Sequence, residues 1–376
     1  MNTKITDYDY FLPPELVAQY PQEPRDASRL LVLNRADGAL THASFRDLPR
    51  YLDQNDLLAV NDTRVFPARL QGAKASGGRM ELLLHHLPEA AGADGGAFRG
   101  EGPEPAAQAF QPGPLSAPAA PSRAARARAT YRGRLRPGQE LVFGEKLRGK
   151  VLSLIQPGVA EVGFFSLNGR DPARVVLEQG EVPLPPYIRR PPGAADRETY
   201  QTVYSSRVGA VACPTAGLHF TDAVLEDLAR CGIETVAVTL HVGPGTFMPV
   251  RTEDYTRHRL EPEYFELSGT AAQRLNRARD QGQRIVAVGT TSARVLESCA
   301  GPRGFREQSG WCGLYIHPGY HFQAVDRLLT NFHLPQSTLL LLVSAFAGRD
   351  LIMKAYEEAV KERYRFYSYG DCMLIL

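Results

Sequence analysis

No two cysteines of the 376-residue chain are spaced as a CxxC pair, and the five present (Cys213, Cys231, Cys299, Cys312 and Cys372) are an odd number. Both facts argue against a zinc site and against the disulfide framework of a secreted protein; a reduced cytoplasm is the economical setting. Long apolar runs are missing as well. The longest, "LLLLVSAFA" at 339–347, is about half of what a bilayer-spanning helix needs and reads as a buried helix or strand, so no membrane partner is expected. The opening "MNTKITDYDYFLPPEL" has acidic and aromatic residues where a secretory signal has a positive stretch followed by an apolar one. Nor is there an excess of charge, since 43 basic residues nearly cancel 41 acidic ones. The chain is therefore not a polycation built to coat nucleic acid, and any basic footprint must be local.

What is present divides the chain. The length suits two domains, or one large domain with an insertion. Residues 89–129 hold 14 Ala, 6 Gly and 6 Pro among 41 positions, with almost nothing large and apolar to bury, and are expected to form a disordered loop. On both sides lie short strand patterns, "RMELLLHHL", "QELVFGEKLRGKVLSLI" and "AEVGFFSL", separated by Gly- and Pro-containing turns. They read as a small antiparallel barrel inserted at 64–171. From 172 to 376 helices and strands alternate: "TDAVLEDLARCG" (helix), "IETVAVTLHVG" (strand), "GTAAQRLNRARDQGQ" (helix), "RIVAVG" (strand), "TTSARVLESCA" (helix) and "GLYIHPG" (strand). With residues 1–63 returning to it, this part reads as an α/β domain, and the fold class is α/β, a mixed, barrel-like sheet with flanking helices, with an inserted small all-β barrel.

Five stretches carry polar residues where chemistry is done. "VACPTAGLHFTDAVL" breaks at Pro214, turns at Gly217 and enters a helix that Thr221 caps, leaving Thr215 and His219 at the mouth of the turn. "VAVGTTSARVLES" gathers free N–H groups and the hydroxyls of Thr290, Thr291 and Ser292 at a helix start, which suits a phosphate, a carboxylate or a ribose edge. On local sequence alone a purely structural N-cap explains it more simply. "LHVGPGTFMPV" sets His241 before Gly243 and Gly245, a loop that lets backbone approach a ligand, or a tight hairpin with a satisfied histidine. "TNFHLPQSTLL" places Asn331, His333 and Gln336 just before an apolar element capped by Ser337 or Thr338, and polar groups are costly where a chain dives into a core. "YRFYSYGDCMLIL" can stack a base or form an edge strand. Residues 121–150 add nine basic side chains against two glutamates, the footprint of a nucleic-acid contact or of a solvated face.

Taken in order, "NDTRVFPARL", "PLPPYI", "YQTVY", "GAVACPTAGLHF", "VTLHVGPGTFMPV", "IVAVGTTSARVLES", "LLTNFHLPQSTLLLLVSAFAG" and "YRFYSYGDCMLI" resemble the S-adenosylmethionine:tRNA ribosyltransferase-isomerase family of queuosine biosynthesis across nearly the whole chain outside 88–130. The resemblance implies transfer of the ribosyl part of S-adenosylmethionine onto 7-aminomethyl-7-deazaguanine at the wobble position of a tRNA with a GUN anticodon. The ribose becomes an epoxycyclopentanediol, adenine and methionine leave, and no metal takes part. A monomer in the cytoplasm is expected. Such chemistry asks for a neutral base, a donor toward adenine and polar groups for the ribose. The resemblance points to His219 or His241 as base, to Asp62 or His333 as donor, and to Thr215, Gly217, Gly243, Gly245, Thr290, Thr291 and Ser292 around the co-substrate. It points to Arg64, Arg132, Arg134, Arg136, Tyr369 and Asp371 for the RNA. Arg64 has a second reading as a structural ion pair. The chain departs from the family at Cys213, Glu261 and His317, where Ala, His and Tyr are usual.

Two rivals belong to other classes. A non-catalytic RNA-binding protein accounts for the basic barrel but not for the polar loops. A hydrolase with Ser292 or Cys213 as nucleophile lacks both a Gly-x-Ser-x-Gly elbow and a basic neighbour for the thiol.

Overall fold

The computed structural model describes residues 3–90, 124–247 and 250–376. The chain forms two compact units, one of residues 1–64 with 184–376 and one of residues 65–183.

The first unit is built on a nine-stranded mixed sheet: β1 (Arg29–Leu33), β2 (Leu40–Ser44), β3 (Asp56–Asn61), β4 (Glu234–Leu240), β5 (Glu263–Leu267), β6 (Arg284–Val288), β7 (Gln308–Cys312), β8 (Arg327–Asn331) and β9 (Cys372–Ile375), in the spatial order β7-β5-β4-β3-β6-β8-β9-β1-β2. Strands β4, β3, β6 and β8 run parallel. β9 lies antiparallel to β8 and parallel to β1, so the C-terminal stretch forms an interior strand, not an edge. Along β1 and β3 the odd and even residues enter different cores: Leu31, Leu33, Leu57 and Ala59 on one face, Leu30, Val32, Leu58 and Val60 on the other. Burial on both faces is why these strands read as continuous apolar runs.

Helices α1 (Asp222–Arg230), α2 (Gly269–Asp280), α3 (Thr290–Cys299), α4 (Thr338–Ala347) and α5 (Arg349–Lys361) complete the unit. The hydroxyls of Thr221, Ser268 and Ser337 accept from Val224 N, Ala271 N and Leu340 N and so cap α1, α2 and α4. α3 and α5 start instead at glycines, Gly289 and Gly348, both at φ +89° and with no side-chain cap. The stretch "GLYIHPG" is not a strand; β7 ends one residue before it, and Tyr315 and His317 pack as a ring cluster with Tyr255.

The second unit is a closed six-stranded antiparallel barrel, running Arg69–Lys74, Arg79–Leu84, Ala125–Arg132, Val159–Ser166, Leu147–Gln156, Glu140–Phe143 and back to the first. Gly72 is required at the closure, because a Cβ there would lie 2.6 Å from Val142 O and from the Phe143 ring. Residues 125–129, expected in the loop, are strand: Ala125, Ala127 and Ala129 fill the interior while Arg126 points outward and Arg128 is half-buried. Glu89–Ala90, at the other end of the expected loop, is strand as well and pairs with Ala125 and Arg126, and residues 91–123 lie outside the described residues. Helix Pro172–Gln179, started by Asp171 accepting from Ala173 N, belongs to this unit, whose last residue is Pro183.

Candidate active site

A cavity of about 250 Å³ opens beyond the C-terminal ends of β6 and β8 in the first unit, the place where open α/β sheets hold ligands. The loops that leave these strands supply Gly289, Thr290 and Thr291 on one side and Thr330 to Pro335 on the other; Ala212 to Ala216 and the Tyr367–Ser368 turn close it. Among the described residues its lining includes no Asp, Glu, Lys or Arg. Four aromatic rings, Tyr187, Tyr200, Phe332 and Tyr367, form much of the wall.

His333 lines this cavity, its Nε2 2.8 Å from Thr330 Oγ1. Tyr356 OH accepts from its backbone N–H and Tyr10 OH donates to its carbonyl. Burial pushes the imidazole down to about 3, so at neutral pH it is an uncharged hydrogen-bond donor and acceptor. His219 sits behind the wall, buried, with Nδ1 2.7 Å from Ser28 Oγ. Burial pushes it down to about 4, while the Asp371 charge and the Asn331 side chain act the other way. Its Nε2 has no hydrogen bond of ordinary geometry, and neither has Asn331 Oδ1. Asn331 Nδ2 donates to Tyr367 O at 3.0 Å, which fixes the amide's orientation. The Ser28 hydroxyl can donate to Nδ1 or accept from it, so the tautomer is free to place Nε2–H on the side of the Asn331 amide.

His241 and Asp62 form a separate cluster. His241 Nδ1 lies 2.7 Å from Thr63 Oγ1 and the ring stacks on Tyr264; Asp62 accepts from Thr239 at 2.6 Å and from Ser206 at 3.2 Å. Burial lowers the His241 imidazole, opposed by Asp62 and Glu266. Neither residue lines the cavity, although the next residue, Val242, does. Asn61 bridges cluster and cavity, its Nδ2 donating to Leu240 O and to Thr291 Oγ1.

Of the other candidates, Thr215, Thr290 and Thr291 line the cavity. Ser292 does not: it is fully buried and donates back to Val288 O at 2.8 Å, one helical turn below. Gly217 is a packing position, where a Cβ would fall 2.1 Å from Tyr204 OH. Gly243 N donates to Glu263 Oε1 at 2.8 Å, and Gly245 lies beside Glu261. Arg64 is exposed and reaches Ser205, a hydroxyl and not a carboxylate. Arg132, Arg134 and Arg136 are exposed on the barrel. Tyr369 and Asp371 are buried and occupied: Tyr369 OH donates to Asp196, and Asp371 accepts from Arg29 N and Arg365 N. A buried carboxylate offers nothing to a polyanion. Cys213 lines the cavity, its thiol raised by burial. Glu261 is exposed. Among the described residues no three His, Cys, Asp or Glu side chains gather closely enough to hold a metal ion.

Sequence reasoning singled out neither Ser28, Tyr187 nor Tyr200, and met Tyr367 only as one aromatic of the stretch "YRFYSYGDCMLIL". The two tyrosines of the middle of the chain stand in "PLPPYI" and "YQTVY", but only the tertiary fold brings them to one wall.

A mixed α/β unit with an uncharged, aromatic-walled cavity at its strand tips, carried in one chain with a closed barrel, is the architecture of an enzyme acting on a small molecule. The chain matches the family described as "Queuosine biosynthesis protein" over residues 5–375. It is 46% identical over 376 residues to the S-adenosylmethionine:tRNA ribosyltransferase-isomerase of Syntrophotalea carbinolica, covering 99% of this chain and 100% of that protein. With the protein of the same name from Aquifex aeolicus the identity is 42% over 373 residues, again 99% and 100%. The crystal structure of S-adenosylmethionine tRNA ribosyltransferase from Thermotoga maritima is similar with a TM-score of 0.53 at 35% identity, covering 98% of this chain and 100% of that one. The chain belongs to the queuosine biosynthesis protein family.

Proposed function

We propose that this chain is an S-adenosylmethionine:tRNA ribosyltransferase-isomerase. The observation that carries the reading is similarity over essentially the whole length, residues 5–375, with the cavity lined by the very motifs that the family shares. A non-catalytic RNA-binding role leaves that cavity without a purpose. The substrates are S-adenosylmethionine, consumed for its ribosyl group, and 7-aminomethyl-7-deazaguanine at the wobble position of a tRNA with a GUN anticodon. The product is epoxyqueuosine. The enzyme acts as a monomer in the cytoplasm and needs no metal.

The sulfonium acidifies the adjoining ribose 5′ carbon, so a positioned base can remove a proton there. His219 is our choice over His241, because it packs against Asn331, which lines the cavity, and its Nε2 has no hydrogen bond of ordinary geometry. Burial keeps the resting imidazole neutral, as a base must be, and the Ser28 hydroxyl can accept from Nδ1–H once the ring is charged. His333, uncharged and on the wall, donates a hydrogen bond toward the departing adenine in preference to Asp62, which lies outside the lining. The substrate amine then attacks the ring, and methionine leaves as a neutral thioether. Arg64 and the exposed arginines of the barrel contact the RNA backbone.

The test is incubation with S-adenosylmethionine and an anticodon stem-loop carrying 7-aminomethyl-7-deazaguanine, followed by mass spectrometry of the nucleosides. Epoxyqueuosine with free adenine and methionine is the expected outcome. Unchanged RNA and S-adenosylmethionine, from folded protein, would refute the assignment.

A further inference from the structure

The cavity wall is made of two chemically different sets of residues. Thr290 and Thr291 bring hydroxyls from the start of α3, which has no side-chain cap. Tyr187, Tyr200 and Tyr367 bring aromatic rings. Tyr200 is fully buried, yet its hydroxyl makes no hydrogen bond of ordinary geometry. Among the described residues only Ser368 and the Cys213 backbone lie near enough to act on it as hydrogen-bond partners, neither in good geometry, and Ser368 is already engaged with Tyr187 OH at 2.7 Å. The ring is held edge-on by Tyr369 at 5.8 Å, and Tyr369 is itself fixed on Asp196 at 3.0 Å. A buried unpaired hydroxyl on a rigid support is costly to keep, and such groups ask for an explanation. A second cost lies beside it. Tyr367 has φ +70°, a left-handed conformation that bulky residues avoid, and this places its ring 4.7 Å from Tyr187.

We propose that the tyrosine wall of the cavity binds the adenine ring of the co-substrate, with the Tyr200 hydroxyl donating a hydrogen bond to one of the purine ring nitrogens. The proposal rests on the reading that S-adenosylmethionine is the ligand. Burial holds the Tyr200 hydroxyl protonated far above neutral pH, so it is a donor, and the purine N1, N3 and N7 are acceptors. A flat, apolar-faced base suits a wall of aromatic rings. A donor on a ring nitrogen also draws electron density from the base as its glycosidic bond breaks, so the same contact assists departure. The methionine carboxylate then falls toward the N-terminus of α3, the end that favours an anion.

The experiment uses the full chain and the variant Tyr200→Phe, with calorimetric binding of S-adenosylmethionine and of its 1-deaza, 3-deaza and 7-deaza analogues, all in the presence of the stem-loop. One analogue is expected to bind the unmodified protein about tenfold more weakly than S-adenosylmethionine. Tyr200→Phe should lose about the same factor for S-adenosylmethionine and show no further loss for that one analogue. The melting temperature of the ligand-free variant should stay close to that of the parent, so that a loss of affinity is not a loss of fold. A folded variant that binds S-adenosylmethionine as the parent does, or a parent indifferent to all three ring changes, overturns the proposal and leaves the enzyme assignment standing. A parent that binds no S-adenosylmethionine at all overturns both.

Discussion

In the first unit the cavity wall carries no carboxylate, lysine or arginine among its described residues, whereas the barrel turns Arg132, Arg134 and Arg136 to solvent. The two surfaces answer different physical problems. The cavity is lined by rings, hydroxyls, apolar groups, the Cys213 thiol, the Asn331 amide and one neutral imidazole, that of His333; on the proposed reading a cationic sulfonium there would find no counter-charge, steps that discharge it would be favoured, and salt in the medium would have little reach. On the barrel each charge is exposed, screened within about 8 Å at physiological ionic strength, and individually worth little. The first surface is specific because every group is fixed. The second gains strength only by number.

The contrast is sharpened most by His219→Ala. Turnover should fall about 10²- to 10⁴-fold, at a stability cost of about 1–3 kcal/mol because Ser28 loses its partner. Single-turnover kinetics beside a melting curve checks this, and near-normal turnover would move the base elsewhere. Next comes Arg132→Gln, Arg134→Gln and Arg136→Gln combined. The KM for the stem-loop should rise about tenfold and the slope of log K against log salt should drop by roughly 2. Binding of S-adenosylmethionine should stay the same; a change there would break the division between the two surfaces.

Acid stability distinguishes them on a smaller scale. His219 and His333 are pushed to about 4 and about 3 in the folded protein, against about 6.5 unfolded. Below about pH 6.5 only the unfolded chain takes up their protons. Stability is therefore complete above that pH and falls by about 1.4 kcal/mol per pH unit for each histidine as pH drops toward 4. Urea unfolding followed through a probe in the first unit, at about pH 7 and about pH 5, should show this, and a flat profile would mean these imidazoles are not buried neutral. The smallest effect is expected of Ser292→Ala, below about 1 kcal/mol and without loss of S-adenosylmethionine affinity. A large affinity loss would put Ser292 back in the site.

Much of the first unit was legible because its signals are local. Thr221 and Ser337 cap where the sequence places them, and the doubly buried strands announce themselves as apolar runs. Composition misled at 125–129, where alternating alanines look like low complexity but fill the barrel interior with the one side chain small enough. In the site, adjacent polar residues were treated alike, and helix geometry separates them: Thr290 and Thr291 face the cavity while Ser292 turns to the preceding turn. Just past β4, His241 was singled out, yet its neighbour Val242 is the one that reaches the cavity. What the sequence could not carry is convergence. Ser28, Tyr200 and Asn331 are far apart along the chain, and nothing periodic or local marks them as one site.

β9 lies between β8 and β1, and this sets a timetable for synthesis. The barrel has all its strands once residue 166 is made, but β1, although among the first residues to emerge, must wait for 372–375 before it can join the parallel core. Synthesis from residue 166, where the barrel is complete, to residue 372 takes roughly 10–40 s at about 5–20 residues per second. A nascent chain stalled before residue 372 should therefore hold a protease-resistant barrel and an unfinished sheet. Its exposed Leu30 and Val32 would be a natural call on chaperones.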